Sequence, residues 1–129
     1  MKNNTVLLAD DHALVRAGLR QLLLEFKTYD VVAEAGDGLQ AIEEALSKQP
    51  DIVVLDLAMP KMRGIEAIKE IKRVSPNSKI LVLSMYDNDE YIRHAIQNGA
   101  DGYLLKGSAT DELRVALDSV LADHLYLSP

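Results

Sequence analysis

The stretch Ile52-Val53-Val54-Leu55-Asp56-Leu57-Ala58-Met59-Pro60 decides how the chain is read. An apolar, largely β-branched run ends in a single acid, and a proline soon forbids further regular structure. Such a run fits a strand buried on both faces, which puts Asp56 at its C-terminal mouth. A carboxylate there is paired, bound to a metal, or part of a site, because burying it alone is costly. An aspartate that merely caps the turn explains the same residue. The choice between the two depends on what other strands bring to the same edge.

Working outward, the 129 residues are 48% hydrophobic and 26% charged. That fits one domain able to bury roughly two thirds of its unfolded surface. Fourteen Lys+Arg against 20 Asp+Glu leave a net charge of −6, a poor balance for gripping nucleic acid. Cysteine is absent, which excludes disulfides and thiolate metal sites. The run Val6-Leu7-Leu8-Ala9 is too short for a signal peptide, and no apolar run approaches a membrane span. A cytoplasmic protein without membrane contact is the expectation.

Before the deciding stretch, Thr5–Asp10 reads as a first strand. Asp10, Asp11 or His12 then opens a helix with a stripe of Leu14, Val15, Leu19, Leu22, Leu23 and Phe26. Val31–Ala35 makes a second strand, and Asp37 with Gln40 resembles a capping box for a helix that stops near Pro50. Beyond it, Gly64 breaks a loop and a helix carries Ile65, Ile68 and Ile71 inward until Pro76. Lys79–Ser84 is the fourth strand. Asp87 or Asn88 caps the next helix, with Ile92, Ala95 and Ile96 facing the sheet and Asn98-Gly99 as its stop. Gly102–Lys106 is a short fifth strand. A last helix from near Thr110 buries Leu113, Ala116, Leu117, Val120 and Leu121 and frays before Pro129.

This is β–α repeated five times with short loops, so the expected fold is α/β, a doubly wound parallel sheet with right-handed crossovers. Helices divide most simply between the two faces in the flavodoxin-like strand order 2-1-3-4-5. In that order strands one and three are neighbours, ~4.8 Å apart, and the topology switches between them. Asp10, Asp11 and Asp56 then converge, with Ser84 and Lys106 on the same edge. Each has a structural explanation alone, but five polar groups at strand C-termini point to a site. Two carboxylates repel by roughly 4 kcal/mol at 4 Å and an effective dielectric near 20. A hard divalent cation relieves this, and an all-oxygen set with open positions suits Mg²⁺. A metal, an ammonium and a hydroxyl around one carboxylate are the parts that stabilise a transferring phosphoryl group, with Asp56 as nucleophile.

The residues Asp10-Asp11, Asp56-Leu57-Ala58-Met59-Pro60, Gly64, Ser84, Tyr103 and Lys106 resemble the receiver domain of two-component response regulators. Ala9-Asp10-Asp11-His12-Ala13-Leu14-Val15-Arg16-Ala17-Gly18-Leu19 and Gly102-Tyr103-Leu104-Leu105-Lys106 look like its NarL/FixJ subfamily. The resemblance implies that Asp56 is the phosphoacceptor. It implies Mg²⁺ on Asp11, Asp56 and the carbonyl of Ala58, with Asp10 acting directly or through water. Lys106 would pair with the phosphoryl group, Ser84 would swing to meet it, and Tyr103 would change rotamer with Ser84, turning inward from a more exposed position. Many receivers follow the lysine with proline, whereas Gly107 follows here.

The implied partner is a sensor histidine kinase, with a homodimer forming on phosphorylation around the fourth helix, fifth strand and fifth helix. Residues 1–124 would be the receiver and residues 125–129 the start of a linker to a helix-turn-helix domain missing from this chain, through which alone DNA is bound. His12, His94 and His124 lack partners at metal-ligand spacing and read as surface or capping residues. Two rival functions fit less well. An aspartyl-nucleophile phosphatase places Asp-x-Asp after its first strand and carries a cap, and neither is present. A flavin-binding module needs a phosphate loop after strand one, where Asp10-Asp11 would repel phosphate.

Overall fold

The apolar runs do become strands buried on both faces. The computed structural model describes residues 2–58 and 64–128, so the proposed stop at Pro60 and the residues around it lie outside the described residues, as does Pro129. β1 (Asn4–Ala9), β2 (Tyr29–Ala35), β3 (Ile52–Asp56), β4 (Lys79–Ser84) and β5 (Gly102–Leu105) pair in parallel. Between them run α1 (Ala13–Phe26), α2 (Gly38–Lys48), α3 (Gly64–Val74) and α4 (Asp89–Gln97), and α5 (Ala109–Leu121) follows. The sheet order is β2-β1-β3-β4-β5-β6, the expected flavodoxin-like order extended by a short β6 (Tyr126–Leu127).

Alternate strand residues feed two cores. Leu7, Val53, Leu55, Val82 and Tyr103 face Ile68, Ile71 and Ala95 of α3 and α4. Val6, Leu8, Val54, Leu81 and Leu83 face Leu19, Leu23, Leu113 and Leu117 of α1 and α5. Each large apolar side chain so buried contributes about 1.5–3 kcal/mol. Every residue of β3 is buried, which fixes Asp56 at the end of the most enclosed strand.

Local signals act as the sequence suggested. Asp37 accepts from the Gln40 amide at 2.8 Å, and the Gln40 side chain accepts from Gly36 N–H at 2.8 Å, closing the start of α2. Asn88 caps α4 by accepting from the Tyr91 amide. Gly64 opens α3 against β3's exit, where a Cβ would lie 2.7 Å from the Leu57 Cα. Any side chain there would push apart the turn that follows Asp56.

Four details differ from expectation. Leu14 is 87% exposed, because at 3.6 residues per turn it lies about half a turn around α1 from Leu23. Val15, on the stripe but in the first turn, is also exposed. Lys106 falls outside β5 and opens a 3₁₀ turn, Lys106–Ser108; among the described residues no peptide bond is cis. The tail does not fray. Tyr126 and Leu127 pair with Gly102 and Tyr103, Ser128 N–H donates to the Tyr103 carbonyl, and Leu105 N–H donates to Ser128 Oγ at 2.9 Å. Tyr126 Oη donates to Glu112, and its phenol is pushed up to about 12 by burial and by that carboxylate. The tail thereby covers the backbone edge that β5 would otherwise leave open.

Candidate functional site

Asp56 is 1% exposed, and both its oxygens are engaged. Oδ1 accepts from the Ala58 amide at 3.0 Å, and Oδ2 accepts from Lys106 Nζ at 3.0 Å. Lys106 starts just past the end of β5, two strand spacings or roughly 10 Å across the sheet, so only a long side chain reaches. Burial pulls the Lys106 ammonium's pKa down, but Asp56 and Asp10 outweigh it and hold the group above the ordinary lysine value.

Asp10, just past β1, is also 1% exposed. Its Oδ1 accepts from His12 N–H at 2.8 Å. Its Oδ2 is buried with no hydrogen-bond partner among the described residues, facing Lys106 Nζ at 3.5 Å. One ammonium therefore serves two buried carboxylates. The main chain here is pinned by Arg16, whose Nη1 donates to the Asp10 carbonyl at 2.6 Å while its Nε pairs with Glu34. Asp11 points outward and lies 3.1 Å from His12 Nδ1. Ligand atoms of Asp10, Asp11, His12 and Asp56 all lie within 4.8 Å of one another. The three expected acids thus come together, and His12, read from the sequence as a surface or capping residue, joins them. It does occupy the N-cap position of α1, but its side chain makes no capping bond.

Ser84 ends β4 with its side chain buried, and Oγ accepts from the Tyr86 amide at 3.0 Å. Tyr103 is 1% exposed, and its hydroxyl donates to the Tyr86 carbonyl at 2.7 Å. The more exposed rotamer expected of Tyr103 is not the one seen, because that carbonyl satisfies the phenol inside the protein. Burial raises the phenol's pKa above its ordinary value. One residue, Tyr86, is thus held by Ser84 through its N–H and by Tyr103 through its C=O, and its ring stacks on Tyr91 of α4 at 4.7 Å. The backbone role of Tyr86 has no sequence signal, since any residue could supply it.

A family model for the response regulator receiver domain matches residues 6–118. The chain belongs to this family. The receiver is 39% identical over 123 residues to the oxygen regulatory protein NreC of Staphylococcus epidermidis, covering 95% of this chain and 56% of the relative. It is 38% identical over 125 residues to NreC of Staphylococcus carnosus, covering 96% and 58%. The receiver therefore spans little more than half the length of the curated relatives it matches. Among solved structures it is similar to a LuxR-family two-component response regulator from Aurantimonas sp. SI85-9A1, at TM-score 0.94 and 37% identity over 99% of this chain and 91% of that one. It is also similar to the signal receiver domain of NarL from Mycobacterium tuberculosis, at TM-score 0.86 and 32% identity over 93% and 98%. These likenesses place the receiver with those of NarL- and LuxR-family two-component response regulators. No helix among the described residues is long and apolar enough to cross a membrane.

Proposed function

We propose that this receiver is a phosphorylation-activated switch in which Asp56 takes a phosphoryl group from a sensor histidine kinase. The observation that carries the reading is the pair of buried carboxylates, Asp56 and Asp10, sharing Lys106 while Asp10 Oδ2 makes no hydrogen bond among the described residues. An unsatisfied buried carboxylate oxygen costs stability unless something else meets it. Its oxygen-rich surroundings fit Mg²⁺, held by Asp10, Asp11, Asp56 and the Ala58 carbonyl. When bound, that ion supplies positive charge to the three acids and to the phosphoryl oxygens.

The chain's own groups supply the rest. A carboxylate oxygen of Asp56 forms a bond to phosphorus as the bond from phosphorus to the donor's imidazole nitrogen breaks. The imidazole leaves with the electron pair and takes a proton from water. The Ala58 amide orients the carboxylate, and the Lys106 ammonium turns to the incoming phosphoryl oxygens. Ser84 accepts from Tyr86 with a lone pair, so its hydroxyl proton can be given to the phosphoryl group. A shift of Ser84 then moves the Tyr86 peptide, the Tyr103 hydroxyl bound to it and the Tyr91 ring stacked on it. That carries the signal to α4 and β5, where a second copy could dock. Such a charge-assisted bond is worth about 1.5–3 kcal/mol, enough to shift a two-state equilibrium by one to two decades.

In the whole cytoplasmic protein, residues 125–129 lead towards a helix-turn-helix domain, and DNA is contacted only there. Intact mass after incubation with Mg²⁺ and acetyl phosphate tests the chemistry. The wild type should gain one phosphate and Asp56→Asn none; an equal gain in both rejects Asp56 as acceptor. Ser84→Ala should still accept phosphate but lose the phosphorylation-dependent NMR shifts of α4 and Tyr103. Unchanged shifts there would reject this route.

A further inference from the structure

His12 is turned towards the acids although nothing in the start of α1 requires it. It stands at the N-cap, yet its side chain gives no capping hydrogen bond. Instead Nδ1 lies 3.1 Å from Asp11 Oδ1 and 3.4 Å from Asp10 Oδ1. It belongs to the same set of potential ligand atoms as Asp56, all within 4.8 Å. Beside this set, Oδ2 of the 1% exposed Asp10 has no hydrogen bond among the described residues and meets only Lys106 Nζ at 3.5 Å, which leaves it able to accept a further cation.

We propose that His12 Nδ1 is a further ligand of this site and makes it selective for a borderline divalent transition ion such as Zn²⁺ over Mg²⁺. The proposal rests on the reading that Asp10, Asp11 and Asp56 hold a divalent cation. Mg²⁺ keeps oxygen ligands and gains little from imidazole. Zn²⁺ gains from an imidazole nitrogen, and divalent affinity for mixed nitrogen and oxygen sites rises towards the end of the transition series. An imidazole nitrogen also adds a ligand without adding a fourth carboxylate to a cluster that already holds three. The site would then respond to the balance of two cations, one of them able to displace the other before any phosphoryl group arrives.

A contrary explanation is that His12 is protonated and acts only as a counter-ion to Asp10 and Asp11. Removing it would then strengthen the binding of every divalent cation by a similar factor. The measurement is calorimetric titration of Zn²⁺ and of Mg²⁺, with and without His12→Ala, in a His94→Gln, His124→Gln background that leaves His12 as the sole imidazole. His12 is 64% exposed at its side chain, so the substitution leaves the fold intact. His12→Ala should weaken Zn²⁺ by at least about tenfold, the scale on which metal-supporting groups act, and leave Mg²⁺ unchanged. Imidazole-nitrogen NMR should show the His12 Nδ1 resonance move with Zn²⁺ and stay with Mg²⁺. An unchanged Zn²⁺-to-Mg²⁺ affinity ratio, a stationary His12 resonance, or no binding of Zn²⁺ would each overturn the proposal. None of these arms uses a phosphodonor, so they read the ligand set independently of whether Asp56 is phosphorylated.

Discussion

The two edges of the sheet carry similar acids in opposite states. At the amino edge, Asp51, Ser78 and Asp101 each directly precede a strand, and all are matched. Asp51 Oδ2 accepts from the Thr5 amide and hydroxyl, and Thr5 Oγ1 accepts from the Asp51 amide in return. Asp101 Oδ2 accepts from Lys72 Nζ at 2.8 Å and from the Ile80 amide at 2.9 Å. Buried Ser75 and Ser78 share a 2.5 Å bond, and Ser78 Oγ donates to the Pro50 carbonyl. At the carboxyl edge two buried carboxylates share one lysine and an oxygen is left over. Asp51 and Asp101 are satisfied within the fold, whereas at the carboxyl edge Asp10 Oδ2 meets only the lysine that Asp56 already holds.

The contrast can be broken by substitution. Asp101→Ala should cost about 3 kcal/mol, because it strips two bonds from one carboxylate, one of them from a lysine; urea denaturation would read it. A loss below 1 kcal/mol would mean that the amino edge is not structural. Next in size, Mg²⁺ at a hundredfold excess over its dissociation constant should stabilise the wild type by ~2.7 kcal/mol. Thermal melting should show that rise largely absent in Asp11→Ala and intact in Asp51→Asn.

Asp10→Asn, measured without divalent cations, should raise stability by about 1 kcal/mol, since it removes a charge that has no hydrogen bond at Oδ2. The direction is opposite to that at Asp101, and a loss of stability would erase the contrast. The smallest effect is in pH. Lys106 is held above its ordinary pKa of 10.5 by Asp56 and Asp10, against the pull of burial. Its favourable contribution is therefore complete below the ordinary lysine range and is lost as pH rises through the folded value. The stability gap between wild type and Lys106→Met should hold steady from neutral pH and close only in that alkaline window.

The carboxyl edge was legible in the sequence because parallel strands all deliver their C-termini to one side. Apolar runs ending in Asp10, Asp56, Ser84 and Lys106 therefore had to meet once the strand order was fixed. The amino edge was not, since an aspartate before a strand looks like any loop aspartate until its partner, 46 residues away for Thr5 and Asp51, is known. β6 has no signature in the sequence because two residues carry no periodicity. The burial of Tyr103 depends on a backbone carbonyl at Tyr86, which no side-chain pattern reveals. His12 is exposed at the N-cap of α1, as its sequence context suggests, but its closeness to Asp56 has no sequence signal, because it arises only through the pairing of β1 with β3.

The most direct test asks which carboxylate carries the phosphoryl group. Phosphorylated protein is reduced with borohydride, which converts an aspartyl phosphate to homoserine, and the peptides are sequenced by mass spectrometry. Homoserine at position 56, with Asp10, Asp11, Asp51 and Asp101 unchanged, is the result expected. Homoserine at any of those four, or none at position 56, would contradict the account.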